Sequence, residues 1–356
     1  MRILIINPFG IGDVLFTTPL LRAIKEADPE SFIGYWCNER IKGILSNNPD
    51  IDEVFALSRG DIKRIFQNSI TGGIMQSLKL FQGLRKAKFD LVLDFSLDHR
   101  YGLISAIAGI KRRIGFDYKN RGRFLTEKLK LEGYSSKHVV DYYSGLLKLL
   151  KIPAGNHNLR IEISKASADK IKRLLNYEGI TDKDLLIGIT PGAGGSWGKD
   201  AHLKQWAPLK FAQLADKLTH ELKAQVLILG DAGDKAAADV LMNAAKIKPI
   251  DFTAKLTLQD FVAAIASVKL LITNDGGPLH IATALGVKTV SIFGPVDEFV
   301  YGPYKAEGRS AVVSAGSKCR PCYKNFRMPP CGKDRECLRN ISVEEVFKTV
   351  KELLEK

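Results

Sequence analysis

The chain has 356 residues, 45% hydrophobic and 26% charged, which is a globular composition with apolar material for two cores. No apolar run approaches the ~20 residues of a membrane span. The net charge of +14 points to an anionic partner: nucleic acid, an anionic membrane surface or a phosphorylated substrate.

The opening Met1–Pro8 is too short for a signal peptide and lacks a small-residue cleavage site, so it reads as the buried first strand of a cytoplasmic protein. The spacing predicts a strand over Arg2–Asn7, a helix over Thr17–Ala27, short strands at Phe32–Cys37 and Glu53–Ala56, and a helix over Leu78–Ala87. A buried strand at Phe89–Asp94, a helix at Leu103–Ala108, an extended piece at Arg113–Phe116 and a helix at Val139–Leu150 follow. Basic residues gather at Lys111, Arg112, Arg113, Lys119, Arg121 and Arg123. No helix-turn-helix, RNP aromatic pair or zinc-finger helix accompanies them, so no nucleic-acid partner is expected. Ile152–Asn156 carries Pro and Gly after a helix and marks the end of the first domain, placing the domains at 1–158 and 159–340 with a terminal helix in 341–356. The second half repeats the alternation, with strands at Leu185–Thr190, Gln225–Leu229, Leu270–Thr273 and Thr289–Phe293, and helices between them and at Val343–Leu354. Alternating strands and helices imply parallel sheets covered on both faces, that is, two Rossmann-like α/β domains. Ligands of such sheets sit at the carboxyl ends of the strands, near switch points in strand order.

Chemistry is therefore sought in the loops that follow strands. The first strand runs into Asn7-Pro8-Phe9-Gly10-Ile11-Gly12-Asp13. Its glycines permit positive φ and close approach of a ligand, while Asp13 is either a helix N-cap or a carboxylate base. A dinucleotide GxGxxG is not completed there, which argues against a nicotinamide oxidoreductase. The strand at Leu185–Thr190 ends in a glycine-rich run, Pro191 to Gly198, followed by Lys199 and Lys204, either of which can reach a phosphate. Gly230-Asp231-Ala232-Gly233-Asp234 places two acids after a strand, as helix caps or as ribose ligands. In Thr273-Asn274-Asp275-Gly276-Gly277-Pro278-Leu279-His280 a buried strand breaks into a helix start, where free amides and the helix dipole suit a pyrophosphate. Asp275 can hold sugar hydroxyls, and His280 either faces the ligand or packs. Among five cysteines, Cys37 stands alone as a small hydrophobe. Cys319, Cys322, Cys331 and Cys337 form a cluster that reads as a zinc site, an iron–sulfur site, or buried or paired thiols.

Taken in order these residues resemble the ADP-heptose:lipopolysaccharide heptosyltransferases, glycosyltransferase family 9. The resemblance is carried by Gly10-x-Gly12-Asp13 with Thr18-Pro19-Leu20-Leu21, Arg112-Arg113-Ile114-Gly115-Phe116, Pro191-Gly192-Ala193, Lys204-Gln205-Trp206, Thr273–His280 and Phe293-Gly294-Pro295. It implies a GT-B fold, two Rossmann-like domains facing across a cleft, with the acceptor on the first, the ADP-sugar on the second and the last helix packing back toward the first. By resemblance Asp13 is the general base. Lys204, Asp234, Leu256, Asp275, Gly276, Gly277 and His280 hold the donor at phosphate, ribose, adenine and sugar, and Gly10, Gly12, Arg100 and Arg113 lie on the acceptor side. The chain departs from the pattern in a longer loop before Lys204, in Gln205 where arginine is usual, and in Asp234 where Glu is usual.

The activity so implied is inverting transfer of heptose to an anionic lipopolysaccharide inner-core acceptor, at the cytoplasmic face of the inner membrane and without a spanning helix. No Asp-x-Asp pair sits at the expected loop, so no catalytic metal and no cofactor are expected. The alternatives are a family-9 relative using another nucleotide sugar or a polysaccharide acceptor, a GT-B-fold sugar-nucleotide epimerase, and a non-catalytic nucleotide-sugar-binding protein.

Overall fold

The computed structural model describes residues 1–356, with Arg59, Phe66, Gly195, Ser196 and Lys199 described at the backbone level only. It divides into two compact units, Met1–Glu162 and Ile163–Lys356.

The first unit is a six-stranded sheet of β1 (Arg2–Ile6), β2 (Phe32–Cys37), β3 (Glu53–Ala56), β4 (Leu91–Asp94), β5 (Arg112–Tyr118) and β6 (Glu127–Leu131), in the order β3-β2-β1-β4-β5-β6. Every pairing is parallel. This is the doubly wound order whose direction reverses between β1 and β4. Ile3, Leu4, Ile5 and Ile6 are all buried because helices cover both faces, which is why β1 reads as an unbroken apolar run and not as an alternation. Ile3 lies opposite Ile33 on one side and Leu91 on the other, which sets the level at which β1 and β4 end.

The second unit repeats the topology with β7 (Leu186–Thr190), β8 (Gln225–Ile228), β9 (Ile250–Asp251), β10 (Leu270–Asn274), β11 (Lys288–Phe293) and β12 (Ser310–Ser314), in the order β12-β11-β10-β7-β8-β9. It too is wholly parallel, with its switch point between β7 and β10. One face of this sheet buries Trp206, Phe211, Leu214 and Leu218. The terminal helix Val343–Glu355 adds Val346, Phe347, Val350 and Leu353 to the same core, opposite the helix Pro208–Leu222 and strands β11 and β12. Its apolar stripe is thus used inside the second unit. The indole N–H of Trp206 donates to the carbonyl of Ile341 at 3.2 Å and pins the entry to that helix.

Two further differences from the sequence reading concern local signals. The helix begun at Leu78 starts eight residues earlier, spanning Ile70–Ala87. Gly72 and Gly73 argue against helix by propensity, yet the Ser69 hydroxyl accepts from the Gly72 amide at 3.0 Å as N-cap, and Gly73 is buried. The edge strands β6, β9 and β12 were not expected; β6 is the charge-laced Glu-Lys-Leu-Lys-Leu and β9 has two residues.

If the terminal helix is part of the second core, Phe347→Ala should lower unfolding stability by about 3 kcal/mol, the usual cost of an emptied aromatic site. A denaturant titration followed by tryptophan fluorescence measures this; a change under ~0.5 kcal/mol, the value of a surface site, would place the helix outside the core.

Candidate active site

In the first unit the loop after β1 is tied down by two amides. Asn7 Nδ2 donates to the Asp13 carbonyl at 2.9 Å, and Asn38 Nδ2 donates to the carbonyls of Pro8 and Phe9 at 3.1 and 2.7 Å. Gly10 is the N-cap of the short helix Ile11–Leu15, with φ −79°, and Gly12 and Asp13 lie in its first turn. Neither Gly10 nor Gly12 has positive φ, so that expectation is corrected. Asp13 is not the N-cap either; its carboxylate stands in the first helical turn, where the dipole favours the anion. It lies near two buried phenols, Tyr35 and Tyr143. Burial pushes both well above the usual range, and the Asp13 charge adds to this.

At the end of β4, beside the switch point, Asp94 accepts from the Ser96 amide at 2.8 Å and is fully enclosed. Burial pushes its carboxyl up to about 6, against the pull of the Ser96 hydrogen bonds. Asp94 lines a small pocket with Asp98, His99, Arg121 and Phe124. Asp98 is the N-cap of the helix His99–Ile107; burial works against its charge, yet hydrogen bonds from Arg100 hold it below the usual carboxylate range. Arg100, half exposed, spends its guanidinium on this one carboxylate at 2.8 Å. Arg113, expected on the acceptor side, is placed by the strand pairing. It sits near the amino end of β5, opposite Val92, and its guanidinium donates to the carbonyls of Phe124, Ile110 and Lys111.

In the second unit the two central strands end in one constellation. Asn274, last residue of β10, donates from Nδ2 to the carbonyls of Pro191 and Gly192 at 3.1 and 2.8 Å, while its Oδ1 accepts from the Trp206 amide at 2.9 Å. Gln205 Nε2 donates to the Pro191 carbonyl at 3.0 Å. The Thr190 and Thr273 hydroxyls meet 2.5 Å apart across the strands. The Pro191-Gly192-Ala193 turn is therefore held in place from β10. Beyond it, Lys204 Nζ lies 2.8 Å from Asp275 Oδ2, with both side chains almost fully buried at 7% and 6% exposure. Among the described residues no donor meets hydrogen-bond geometry on that oxygen, so the contact is an ion pair. The ammonium also stands 4.6 Å from the Trp197 ring centroid, a cation–π distance. Gly276 caps the helix Gly277–Leu285 without any side-chain hydrogen bond, and Pro278 occupies its first turn. The result is a helix amino terminus with a buried lysine beside it at a switch point, an arrangement that binds diphosphates.

A family model described as glycosyltransferase family 9 (heptosyltransferase) matches residues 77–330. The chain belongs to glycosyltransferase family 9. It is 27% identical, over 99% of each chain, to lipopolysaccharide heptosyltransferase 1 of Campylobacter coli. Its structure superposes at TM-score 0.84 on a family 9 glycosyltransferase of Veillonella parvula, 27% identical, covering 99% of this chain and 97% of that one. The ADP-heptose lipopolysaccharide heptosyltransferase II of Escherichia coli shares the fold at TM-score 0.79 and 22% identity, over 100% and 99% of the two chains. This family 9 enzyme is thus a GT-B-class glycosyltransferase built of two Rossmann-like units.

The structure sorts the remaining expectations for the family 9 chain. Asp231 and Asp234 form a reciprocal capping box: Asp231 accepts from the Gly233 amide at 2.7 Å, and Asp234 Oδ2 accepts from the Asp231 amide at 3.1 Å. Asp234 also stands against the Pro191–Ala193 turn so closely that a Cβ at Gly192 would lie 1.7 Å from its Oδ1, which explains the glycine. Burial, then the Asp231 charge, raises its carboxyl above the usual range. Leu256 is half-buried, after β9, and His280 is buried in the helix Gly277–Leu285. Lys199 lies outside the described side chains. The four clustered cysteines are free thiols. Cys322 Sγ donates to the Cys319 carbonyl at 3.0 Å, and the Arg335 amide donates to Cys331 Sγ at 3.2 Å. Burial and then the three other thiols push Cys322 up to about 11. Among the described residues no three His, Cys, Asp or Glu side chains are grouped as metal ligands. The sequence reading missed Asn274 as the brace of the site, and it missed Asp94, whose signal was an acid closing a buried central strand.

Asp94 makes stability depend on pH with a definite sign. Its folded pKa, about 6, lies above its ordinary value of 3.8, so the contribution is full below the unfolded pKa and is lost as pH rises toward 6. Thermal unfolding across that window should show wild type losing roughly 3 kcal/mol relative to Asp94→Asn as pH rises. Parallel pH profiles for the two proteins would show that Asp94 stays solvated.

Proposed function

We propose that this enzyme transfers heptose, with inversion and without a metal, from ADP-heptose to the inner core of lipopolysaccharide. The observation that carries the reading is the buried Lys204–Asp275 pair at the head of the Gly277–Leu285 helix. The lipopolysaccharide heptosyltransferase of Campylobacter coli and the ADP-heptose enzyme of Escherichia coli supply the sugar, the nucleotide and the acceptor class.

In this reading the diphosphate of the donor lies over the Gly276 and Gly277 amides with Lys204 beside it. As the sugar–phosphate bond breaks, negative charge grows on the leaving ADP and meets fixed amides, a helix dipole and one ammonium, none of which must reorganise. Asp275 takes sugar hydroxyls. Asp234 takes the ribose and Leu256 the adenine, and His280 supports the wall behind the donor. Asp13, in the first turn of its helix, takes the proton of the acceptor hydroxyl as general base. Gly10, Gly12 and Arg100 border the acceptor, and the first unit's basic residues meet its phosphates and acidic sugars at the cytoplasmic face of the inner membrane.

Asp13→Ala should lower turnover by ~10²–10⁴-fold with little change in ADP affinity. The check is transfer to a deacylated core acceptor, followed by acceptor mass and ADP release; turnover near wild type removes Asp13 from the role. Proton NMR of the product should show the anomer opposite to the donor's, with transfer unchanged by EDTA.

Lys204→Met leaves the Asp275 charge buried without its partner and should cost on the order of 3 kcal/mol of stability. Adding Asp275→Asn should restore most of that stability without restoring transfer. Recovery of transfer along with stability would make the pair a structural one.

A further inference from the structure

The helix Ile70–Ala87 turns one face inward through Gly73, Leu84 and Ala87, and Leu80 packs on the core of the first unit. A second apolar stripe on the same helix is exposed. Ile70, Ile74, Met75 and Leu78 are 68%, 48%, 67% and 53% exposed. At 100° per residue Ile70, Ile74 and Leu78 fall on one face, Phe81 continues it, and Met75 lies at its edge. Exposed apolar side chains gathered in this way mark a contact surface, whereas scattered ones need no account.

The charge around the stripe is one-sided. Residues 59–88 carry seven Lys and Arg against a single acid, Asp61. That acid is buried, caps Ser58 and pairs with Arg64 at 3.3 Å. Lys63, Lys79, Lys86 and Lys88 are exposed, and Arg85 lies 5.9 Å from the Phe81 ring at the end of the stripe. Apolar side chains on one face with lysine and arginine beside them are the composition of a helix that lies in an anionic bilayer interface. No helix among the described residues is long and apolar enough to cross a membrane.

The position of the stripe gives it a use. Gly83 lies against Phe55, near the carboxyl end of β3. From there the helix continues to Lys88, next to the amino end of β4, so it runs antiparallel to the strands. Its residues before Gly83 therefore extend past the carboxyl edge of the sheet, by about 20 Å between Gly83 and Ile70 at 1.5 Å per residue. That is the edge from which the Gly10–Asp13 loop also projects.

We propose that the exposed face of helix Ile70–Ala87 is the membrane-docking surface of this protein, seating in an anionic lipid bilayer with the strand-end loops of the first unit turned toward the lipid surface. This names the surface and rests on the lipid-borne acceptor read above. The lipid acyl region receives Ile70, Ile74, Met75 and Leu78, and the flanking lysines meet anionic headgroups.

The test is co-sedimentation of the full chain with vesicles of phosphatidylcholine alone or mixed with phosphatidylglycerol. Wild type should bind the mixed vesicles, more weakly as salt rises. The exposed-site variant Ile74→Ser/Met75→Ser/Leu78→Ser should lose about tenfold or more in partition. Lys79→Glu/Lys86→Glu should lose at least ~5-fold for each charge. Both should transfer sugar to a water-soluble deacylated acceptor at the wild-type rate, which also shows that they fold. Wild-type partition in both variants, or no binding of wild type to mixed vesicles, overturns the proposal. So does a wild-type dimer in solution that the triple serine variant dissociates, because the stripe would then be covered by a second copy. A chain that binds vesicles through this face but transfers no heptose sinks the functional reading and leaves the docking surface standing.

Discussion

A lysine and an aspartate that face each other almost without water are the constraint around which the second unit is arranged. Two desolvated charges are costly, and a well-packed apolar pair of the same volume is often no less stable. Lys204 and Asp275 are held there by groups that do little else. Asn274 spans the gap between β10 and the β7 loop, Gln205 fixes the same turn, and Trp197 faces the ammonium. A charge stored beside a helix amino terminus is of use to a reaction whose leaving group is a diphosphate, because the stabilisation is in place before the charge develops.

The two sheets have one topology and different polar equipment. In the second, the central strand ends carry a buried lysine paired with an aspartate. In the first, the corresponding ends carry acids: Asp13 in a first helical turn, Asp94 enclosed, and Asp98 held by Arg100. A parallel doubly wound sheet permits this difference, because the loops at the carboxyl ends can change without disturbing strands buried on both faces.

Much of this was legible in the residues. Four- to six-residue apolar runs broken by glycine and aspartate located most of the strands, and Asn274-Asp275-Gly276-Gly277-Pro278 marked the helix start that the structure places at the switch point. Local rules failed in identifiable places. Gly72-Gly73 hid the first turns of a helix that tertiary packing supports. The edge strands β6 and β12 needed a neighbour to exist. The three backbone carbonyls that the Arg113 guanidinium meets are brought to it by the fold. The two acids after β8 form a capping box, and the approach of one of them to Gly192 is a contact no local rule announces.

What the sequence by itself determined is the repeated strand–helix alternation, the class of fold and the family, because apolar periodicity and glycine placement are local properties that a chain carries before it folds. The tertiary structure alone decided which charges are spent and which are kept. Ion pairs and hydrogen bonds such as Lys204–Asp275 and Asn274–Gly192 join residues 71 and 82 positions apart. The partners of a polar side chain, and so its availability for chemistry, are set by the strands that meet beside it and not by its neighbours in the chain.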